Sequence, residues 1–540
     1  MQIVCRYKGT PEHAPRPCEI EESGCSMRKI IPVALFLVVF TSLQFFTPAS
    51  ALSSKCGWDT TTGWVARENA LPGYQGWAKG IRLGFTSDYP FGMQDKKTQS
   101  YLDAGFNSKY VQGWFDSSSA TCGQKVQLHL RGNNEPVIIS LFRIGYYGDT
   151  GARLVKKIIT ARVNQETRIN VSPAPEKIVY TEWPSYFDFT PDETTPPGQY
   201  VFRLDDKYEK STLVPLTIVD PQSTAPLTFV SSVFTWQMYN HWGGYSAYKG
   251  ANLKRDTRSV VTSFNRPYDG DGSGQLRYME APVISKIEEL GIDTNYITDF
   301  ELDSNPSAIA RTKSIVFGGH AEYWTSNMRK NMEYAIAHSV NLINLGGNAA
   351  YNRPLLQKKN RELVMWRDSG FVDPHGADPL LATRAWRDAP ISQPESLVLG
   401  SQYVGLGLKA DYRITRPNAW PMSVLPTLEA LKNVVGREVD SPLYSKGPAV
   451  QILARATVTF RKKVIEPMAT YYNTESSAGV LNVGTNGWVC GMENICPWHP
   501  GIPVETQAAL QAITGEILLE AAKGPLGKIH PAKVDLPARP

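Results

Sequence analysis

The feature that most constrains this chain is a change of period across Asp220-Pro221-Gln222-Ser223-Thr224-Ala225-Pro226. Before it, the runs Gln124–Leu130, Pro136–Ile144, Ile178–Thr181 and Tyr200–Leu204 are short, rich in β-branched and aromatic residues, and punctuated by glycine, asparagine and proline. That is the pattern of an antiparallel, Ig-like β-sandwich. After it, strand-like runs (Leu227–Val233, Thr294–Thr298, Ser314–Phe317, Asn341–Leu345) alternate with helix-like ones (Ala281–Leu290, Ser326–His338). Alternation of this kind builds βαβ units, so a doubly wound, largely parallel sheet is expected. The linker composition of 220–226 sets the boundary, giving a sandwich over 52–220 and an α/β domain over 227–523. Gln507–Ala522 reads as a closing amphipathic helix and 524–540 as a flexible tail. The glycine-rich stretch Arg143–Arg153 lacks a phosphate-loop lysine, so it is expected to be a turn joining two strands.

With 540 residues, 42% hydrophobic and 20% charged, the chain has room for two or three domains that each bury a core. A net charge of +5 is mild, and no dense Lys/Arg block is present to follow a phosphate backbone, which excludes a nucleic-acid partner. Met27-Arg28-Lys29, the apolar run Ile30–Phe40 and Ala49-Ser50-Ala51 read as a signal peptide over 27–51. A secreted or periplasmic protein is expected, without a stable membrane span after cleavage; an uncleaved signal anchor is the alternative. Residues 1–26 read as a mis-assigned leader, with translation beginning at Met27. Cys56, Cys122, Cys490 and Cys496 then remain, an even count that suggests disulfides, with Cys490–Cys496 the easiest local pair.

In an open α/β sheet, chemistry gathers beyond the carboxyl ends of the strands. The segments just past the expected strand ends are Thr235–Gly244, then Asp299, then Gly318-Gly319-His320-Ala321-Glu322-Tyr323-Trp324, then Gly346-Gly347-Asn348. A His-x-Glu at a strand end is a site candidate, although the same two residues can simply cap the next helix. Ser263-Phe264-Asn265-Arg266-Pro267-Tyr268-Asp269 is an excursion too polar for a core. Tyrosines, a histidine, a glutamate and an asparagine at one rim can bind a hard metal or act as acid and base. Phenolate and carboxylate oxygens suit ferric iron, and a metal makes the phenolate accessible. Taken singly, Tyr239 beside Trp236 also reads as packing, and Tyr268 after Pro267 as a pinned turn. Glu475 and His499 read as solvated surface residues, with substrate or supporting contacts at the rim as the alternative.

Thr-Trp-Gln-x-Tyr-Asn-x-Trp-Gly-Gly at 235–244, Ser-Phe-Asn-Arg-Pro-Tyr at 263–268, Gly-His-x-Glu-Tyr-Trp at 319–324 and Gly-Gly-Asn at 346–348 occur here in order. Together they resemble the C-terminal domain of the N,N-dimethylformamidase large (beta) subunit, over roughly residues 120 to 515. The resemblance implies a glutamine-amidotransferase-like (flavodoxin-like) α/β domain. It also implies a mononuclear iron (Fe3+) held by two tyrosines and a glutamate, hydrolysing a small amide, with a small second subunit or a homo-oligomer. Carried over, Glu322 is the carboxylate ligand and Tyr239 one phenolate. Tyr268 is preferred for the second, with Tyr278 and Tyr245 as alternatives. His320 is expected to shuttle protons and Asn348 to donate to the developing oxyanion.

Two other classes compete. A thiol hydrolase needs a cysteine at a sharp strand–helix turn, and neither Gly-Gly turn carries one. A non-catalytic exported protein that binds glycan or a protein partner is the stronger rival, since thirteen tryptophans and twenty-five tyrosines suit sugar stacking as well as packing.

Overall fold

The computed structural model describes residues 56–79, 81, 111–166, 168–207, 211–252, 254–366, 372–496 and 498–540. The expected leader at 1–26 and signal peptide at 27–51 lie outside the described residues. Eight strands build the two main sheets of the first part: β1 (Gln112–Phe115), β2 (Ser119–Thr121), β3 (Val126–Arg131), β4 (Glu135–Ile144), β5 (Ala152–Val163), β6 (Ser185–Phe189), β7 (Gly198–Asp205) and β8 (Ser211–Val219). They form two sheets, β1-β3-β6 and β2-β8-β7-β4-β5. Alternate side chains of both, among them Leu128, Leu130, Ile139, Leu141, Phe202 and Leu204, share one buried core, so the arrangement is sandwich-like. A Cys56–Cys122 disulfide packs against it. The glycine-rich stretch joins β4 to β5: Ile144 pairs with Ala152, and Tyr147, Gly148 and Asp149 take positive φ to turn the chain.

The second part is a nine-stranded sheet made of β9 (Leu227–Ser231), β10 (Thr294–Thr298), β11 (Ser314–Phe317), β12 (Asn341–Asn344), β13 (Gln402–Ile414), β14 (Ala430–Ser441), β15 (Gln451–Arg455), β16 (Met468–Asn473) and β17 (Gly479–Asn482). Its order is β10-β9-β11-β12-β17-β16-β15-β13-β14. The first five are parallel and buried along their whole length, which is why they show no alternation of apolar and charged residues. From β17 onward the pairing is antiparallel, so the sheet is mixed where a largely parallel one was expected. The long β13–β14 hairpin curls back over the rim. Val439 on β14 bridges Thr485, just past β17, and the Asp440 N–H donates to the Gly484 carbonyl at 2.9 Å. The far edge of the sheet thereby returns to the carboxyl ends of its parallel half.

Helices α1 (Trp64–Asn69), α2 (Val233–Tyr239), α3 (Ala281–Glu289), α4 (Asp299–Ser304), α5 (Ser326–Ala337), α6 (Gly487–Glu493) and α7 (Val504–Ala521) pack around this sheet. Pro282 sits in the first turn of α3, where a missing N–H costs nothing, and Gly291 follows its end at φ 65°. Cys490 and Cys496 pair across the end of α6. The segment 524–540, expected to be loose, is instead tied down. Leu526 is fully buried, the Val450 N–H donates to the Leu536 carbonyl, and Asp535 pairs with Arg416. Among the described residues no helix is long and apolar enough to cross a membrane.

From Cys56 onward the described chain is one compact unit, and a buried ion pair joins sandwich to sheet. Arg143, at the end of β4, donates to both carboxylate oxygens of Glu288 on α3, at 2.7 and 2.9 Å, with both side chains at 0% exposure. Glu288 also accepts from Tyr296 (2.6 Å) and Asn69 (2.8 Å). Gly145 lies so close that a Cβ there would stand 2.1 Å from Glu288 Oε2. Removing one partner of a buried, hydrogen-bonded ion pair strands the other charge in a dry interior. Glu288→Ala is therefore expected to lower the unfolding free energy by about 3–5 kcal/mol. Urea unfolding at neutral pH measures it, and a loss below about 1 kcal/mol, as for an exposed pair, contradicts the account.

Candidate functional site

Strands β11 and β12 each end in Gly-Gly, and the two turns touch. A Cβ on Gly346 would fall 2.1 Å from the Gly319 carbonyl oxygen, and one on Gly318 would fall 2.5 Å from that of Met279. The Gly319 N–H donates to that Met279 carbonyl at 2.7 Å. Close packing of backbone on backbone fixes the direction in which His320 and Glu322 leave the strand end.

Glu322 is the centre of the site, buried at 2% exposure. The Tyr239 hydroxyl, at the end of α2, donates to its Oε2 at 2.6 Å. The Tyr248 hydroxyl lies 2.7 Å from both Oε1 and Oε2. The two phenol rings stack, with centroids 4.3 Å apart. Their meeting follows from the backbone: Gly243 and Gly244 take positive φ and reverse the chain, and the Ala247 N–H then donates to the Met238 carbonyl. That pairing sets residue 248 beside residue 239. Two further groups orient the set, since Asn352 Nδ2 donates to Glu322 Oε1 at 2.5 Å and the Tyr323 hydroxyl to that of Tyr248 at 2.7 Å. Burial, reinforced by the Glu322 and Glu438 carboxylates, pushes the Tyr239 phenol well above its ordinary range, so on its own it keeps its proton.

A second pair adjoins this set. His320 Nε2 lies 2.8 Å from Glu438 Oε2 and 3.6 Å from Glu322 Oε2. The closer contact lies off the axis of the ring N–H, so Nε2 makes an ion-pair contact without a hydrogen bond. Nδ1 lies 3.1 Å from Gln275 Oε1. Burial opposes charge on the imidazole, but the adjacent Glu438 carboxylate outweighs it and raises His320 above its ordinary 6.5. Burial likewise acts against the Glu438 anion, and His320 with the Asn348 amide reverses this and holds Glu438 below its ordinary 4.5. Asn348, at φ 58°, gives its N–H to Asp440 (2.8 Å) and its Nδ2 to Glu438 (3.2 Å), leaving Oδ1 buried and unpartnered. His320, Glu322 and Glu438 each offer a ligand atom within 4.8 Å of the others.

The structure thus brings Tyr239, His320, Glu322 and Asn348 together and leaves Tyr268 out. Tyr268 packs edge-on against Trp236, 6.0 Å between centroids, because the 263–268 excursion runs toward the sandwich rather than the rim. Tyr278 lies by the Cys490–Cys496 disulfide, and Tyr245 lies beside Lys177. The second phenol at Glu322 is Tyr248, which sequence reasoning missed along with Glu438. The Gly-Gly after α2 was the available signal for Tyr248, as it reverses the chain. Nothing local marked Glu438, which arrives on the returning hairpin. His499 is buried rather than solvated and bonds the Asn433 carbonyl at 2.8 Å, while Glu475 is exposed.

Donor set and surroundings fit a hard cation. Two neutral O–H groups converge on one carboxylate, so a cation in their midst replaces two protons, and a histidine nitrogen and an amide oxygen nearby lack hydrogen bonds. For the His320–Glu438 pair the pH dependence has a definite sign. The stabilisation is fully present between about pH 4.5 and 6.5. It is lost as the pH rises through the folded-state value of His320, or falls through that of Glu438. Glu438→Gln is expected to lower the His320 titration, since burial is then opposed only by the more distant Glu322 carboxylate. NMR titration of the imidazole reads this, and an unmoved midpoint refutes the pairing.

A comparison with curated proteins finds no match. Among solved structures, the cycloisomaltooligosaccharide glucanotransferase of Paenibacillus sp., complexed with cycloisomaltoheptaose, is similar at 7% identity over 56% of this chain and 61% of that one. The chain spans less than two thirds of that enzyme's length, and a TM-score of 0.15 carries no argument about fold or function. The family described as N,N-dimethylformamidase beta subunit-like, C-terminal, matches residues 138–499, a span that contains every residue of the cluster around Glu322. The chain belongs to the N,N-dimethylformamidase beta subunit-like family.

Proposed function

We propose that this protein is an exported, iron-dependent hydrolase of small amide (C–N) bonds, on a glutamine-amidotransferase-like α/β fold. The observation that carries the reading is the convergence of two buried phenols on one buried carboxylate, within a family whose description implies a small-molecule substrate. Tyr239, Tyr248 and Glu322 would hold the metal. Bound ferric iron supplies Lewis acidity, which polarises a carbonyl and acidifies water.

The chain's own residues supply the rest. Asn352 holds the Glu322 carboxylate in place and Tyr323 holds the Tyr248 phenol, so both donors are set before any ligand arrives. His320 faces the site through Nε2, the atom positioned to take a proton from water and give it to the departing amine nitrogen. Glu438 stabilises the charged imidazole in between, and Asn348 fixes Glu438 rather than standing free for an oxyanion. Water adds to the carbonyl carbon, the C–N bond breaks, and a carboxylate and an amine leave. The Cys56–Cys122 and Cys490–Cys496 disulfides support a secreted or periplasmic location. Assembly as a homo-oligomer or with a small second chain belongs to the same proposal.

Metal analysis and colour test it. The purified protein is expected to carry stoichiometric iron and a visible phenolate-to-iron band. Glu322→Ala loses the iron, Tyr248→Phe weakens or shifts the band, and Tyr268→Phe changes neither. His320→Ala keeps the metal but lowers kcat on small amides about 10²–10⁴-fold. Equal iron in wild type and Glu322→Ala sinks the ligand assignment, and a colourless, iron-free protein favours a glycan- or protein-binding role instead.

A further inference from the structure

The Ser263–Tyr268 motif is left without a role by the metal reading, and its side chains face a different space. Between the sandwich and the α/β sheet lies a cavity of about 30 Å³, lined by Trp114, Gln199, Trp236, Phe264, Arg266 and Tyr268 among others. A single water needs about 10–15 Å³ by the same measure, so one small ion with its contacts fits and an organic ligand of any length does not.

The walls are electropositive. Arg266 is fully buried, and its guanidinium donates to the carbonyls of Trp242 (2.8 Å), Tyr245 (2.9 Å) and Asn240 (3.0 Å). None of these acceptors carries a charge, and Nε has no partner at all. Burial pulls this arginine down to about 10, against the pull of Asp269 and Tyr268 acting through space. Behind the lining, in the turn at 358–361, Arg361 has its guanidinium spent on the Asn265 side chain and the Phe115 and Phe264 carbonyls, with no carboxylate among its hydrogen-bond partners. Among the described residues, no hydrogen-bond partner reaches the Tyr268 hydroxyl, although both arginine charges act on it. One buried cation with no carboxylate hydrogen-bonded to it, its orphan N–H and an unused phenol O–H border one small void, and the Arg361 charge acts on that phenol from behind. Such a charge is costly unless something of opposite sign shares its surroundings.

We propose that this cavity is a binding site for one small monovalent anion, a halide or a one-carbon carboxylate, held by Arg266 and the Tyr268 hydroxyl. The anion ties the Asn240–Tyr245 turn to the sandwich and so acts on stability rather than chemistry. The site is separate from Glu322 and stands whether or not iron is bound there.

Thermal unfolding of the full chain tests this at fixed ionic strength, with chloride, bromide or formate replacing gluconate, an anion too large for the void. Tyr268→Phe is the comparison because it deletes one hydroxyl, whereas replacing Arg266 strips three carbonyls of their donor and endangers folding. The expected result is a saturable rise in Tm of about 2–4 °C for the wild type, reduced by at least half in Tyr268→Phe. A response to halides alone assigns a halide site, a response to formate alone a carboxylate site, and a response to both a site selecting on charge and size. Bromide-soaked crystals should then show an anomalous peak beside Arg266 in the halide cases. No anion-dependent rise in the wild type, or an equal rise in both proteins, overturns the proposal.

Discussion

The contact on which the rim depends is the one between two strand-end turns, where the Gly319 carbonyl would stand 2.1 Å from any Cβ at position 346. Adjacent parallel strands hold their ends about 4.8 Å apart, leaving room for two backbones but no side chains between them. With glycine in those places the turns close up, and the next residues are driven out of the sheet. His320 and Glu322 leave one turn, Asn348 leaves the other, and all three reach the same small volume. A side chain at Gly346 would separate the turns and spread these groups apart without touching any of them. The constraint is steric, and the chemistry at the rim follows from it.

Within that volume, charge is managed by contact. Glu322 is surrounded by neutral donors from Tyr239, Tyr248 and Asn352, while Glu438 faces an imidazole. Glu280, only a turn away, shows what happens without either arrangement. It accepts from the Ser232 N–H and the Trp236 indole, but no cation adjoins it, and burial pushes it up to about 8. Asp440, buried behind Asn348, is pushed up to about 7 in the same way. Four buried carboxyl groups near one rim thus divide by their neighbours: Glu280 stays mostly protonated at neutral pH, Asp440 titrates there, one is paired with a histidine, and one is set among exchangeable protons. Only the last offers a place where a cation gains more than it displaces.

Much of this was legible in the sequence, and the reasons for the failures are physical. The parallel strands β9 to β12 are legible because burial on both faces keeps them free of charged residues, and the polar residues after them fall at the rim by topology alone. Tyr239, His320, Glu322 and Asn348 were found this way. Glu438 was not, since it sits inside a strand of the antiparallel half, and its arrival depends on a hairpin curling back through the Val439–Thr485 bridge. No local pattern encodes that return. Tyr248 was missed because a loop residue nine positions beyond Tyr239 has no periodicity to mark it. The Ser263–Tyr268 motif points to Tyr268, but that motif belongs to the junction with the sandwich. Resemblance transferred the presence of a second tyrosine without fixing which one.

That junction explains why the two parts of the chain form one body. Arg143 crosses from the sandwich to Glu288 with no exposed surface on either side chain, and Gln199 on β7 accepts from Ser231 at the end of β9. These are polar contacts in a dry interior, strong while complete and costly when broken, so sliding one part over the other would strand several groups at once. The helix that carries Tyr239 begins two residues after Ser231, and the turn that carries Tyr248 is braced by Arg266 against the same interface. The rigid sandwich contact therefore does for the tyrosines what the glycine turns do for Glu322. One sets the positions of the phenols, the other that of the carboxylate, and the site exists where the two constraints coincide.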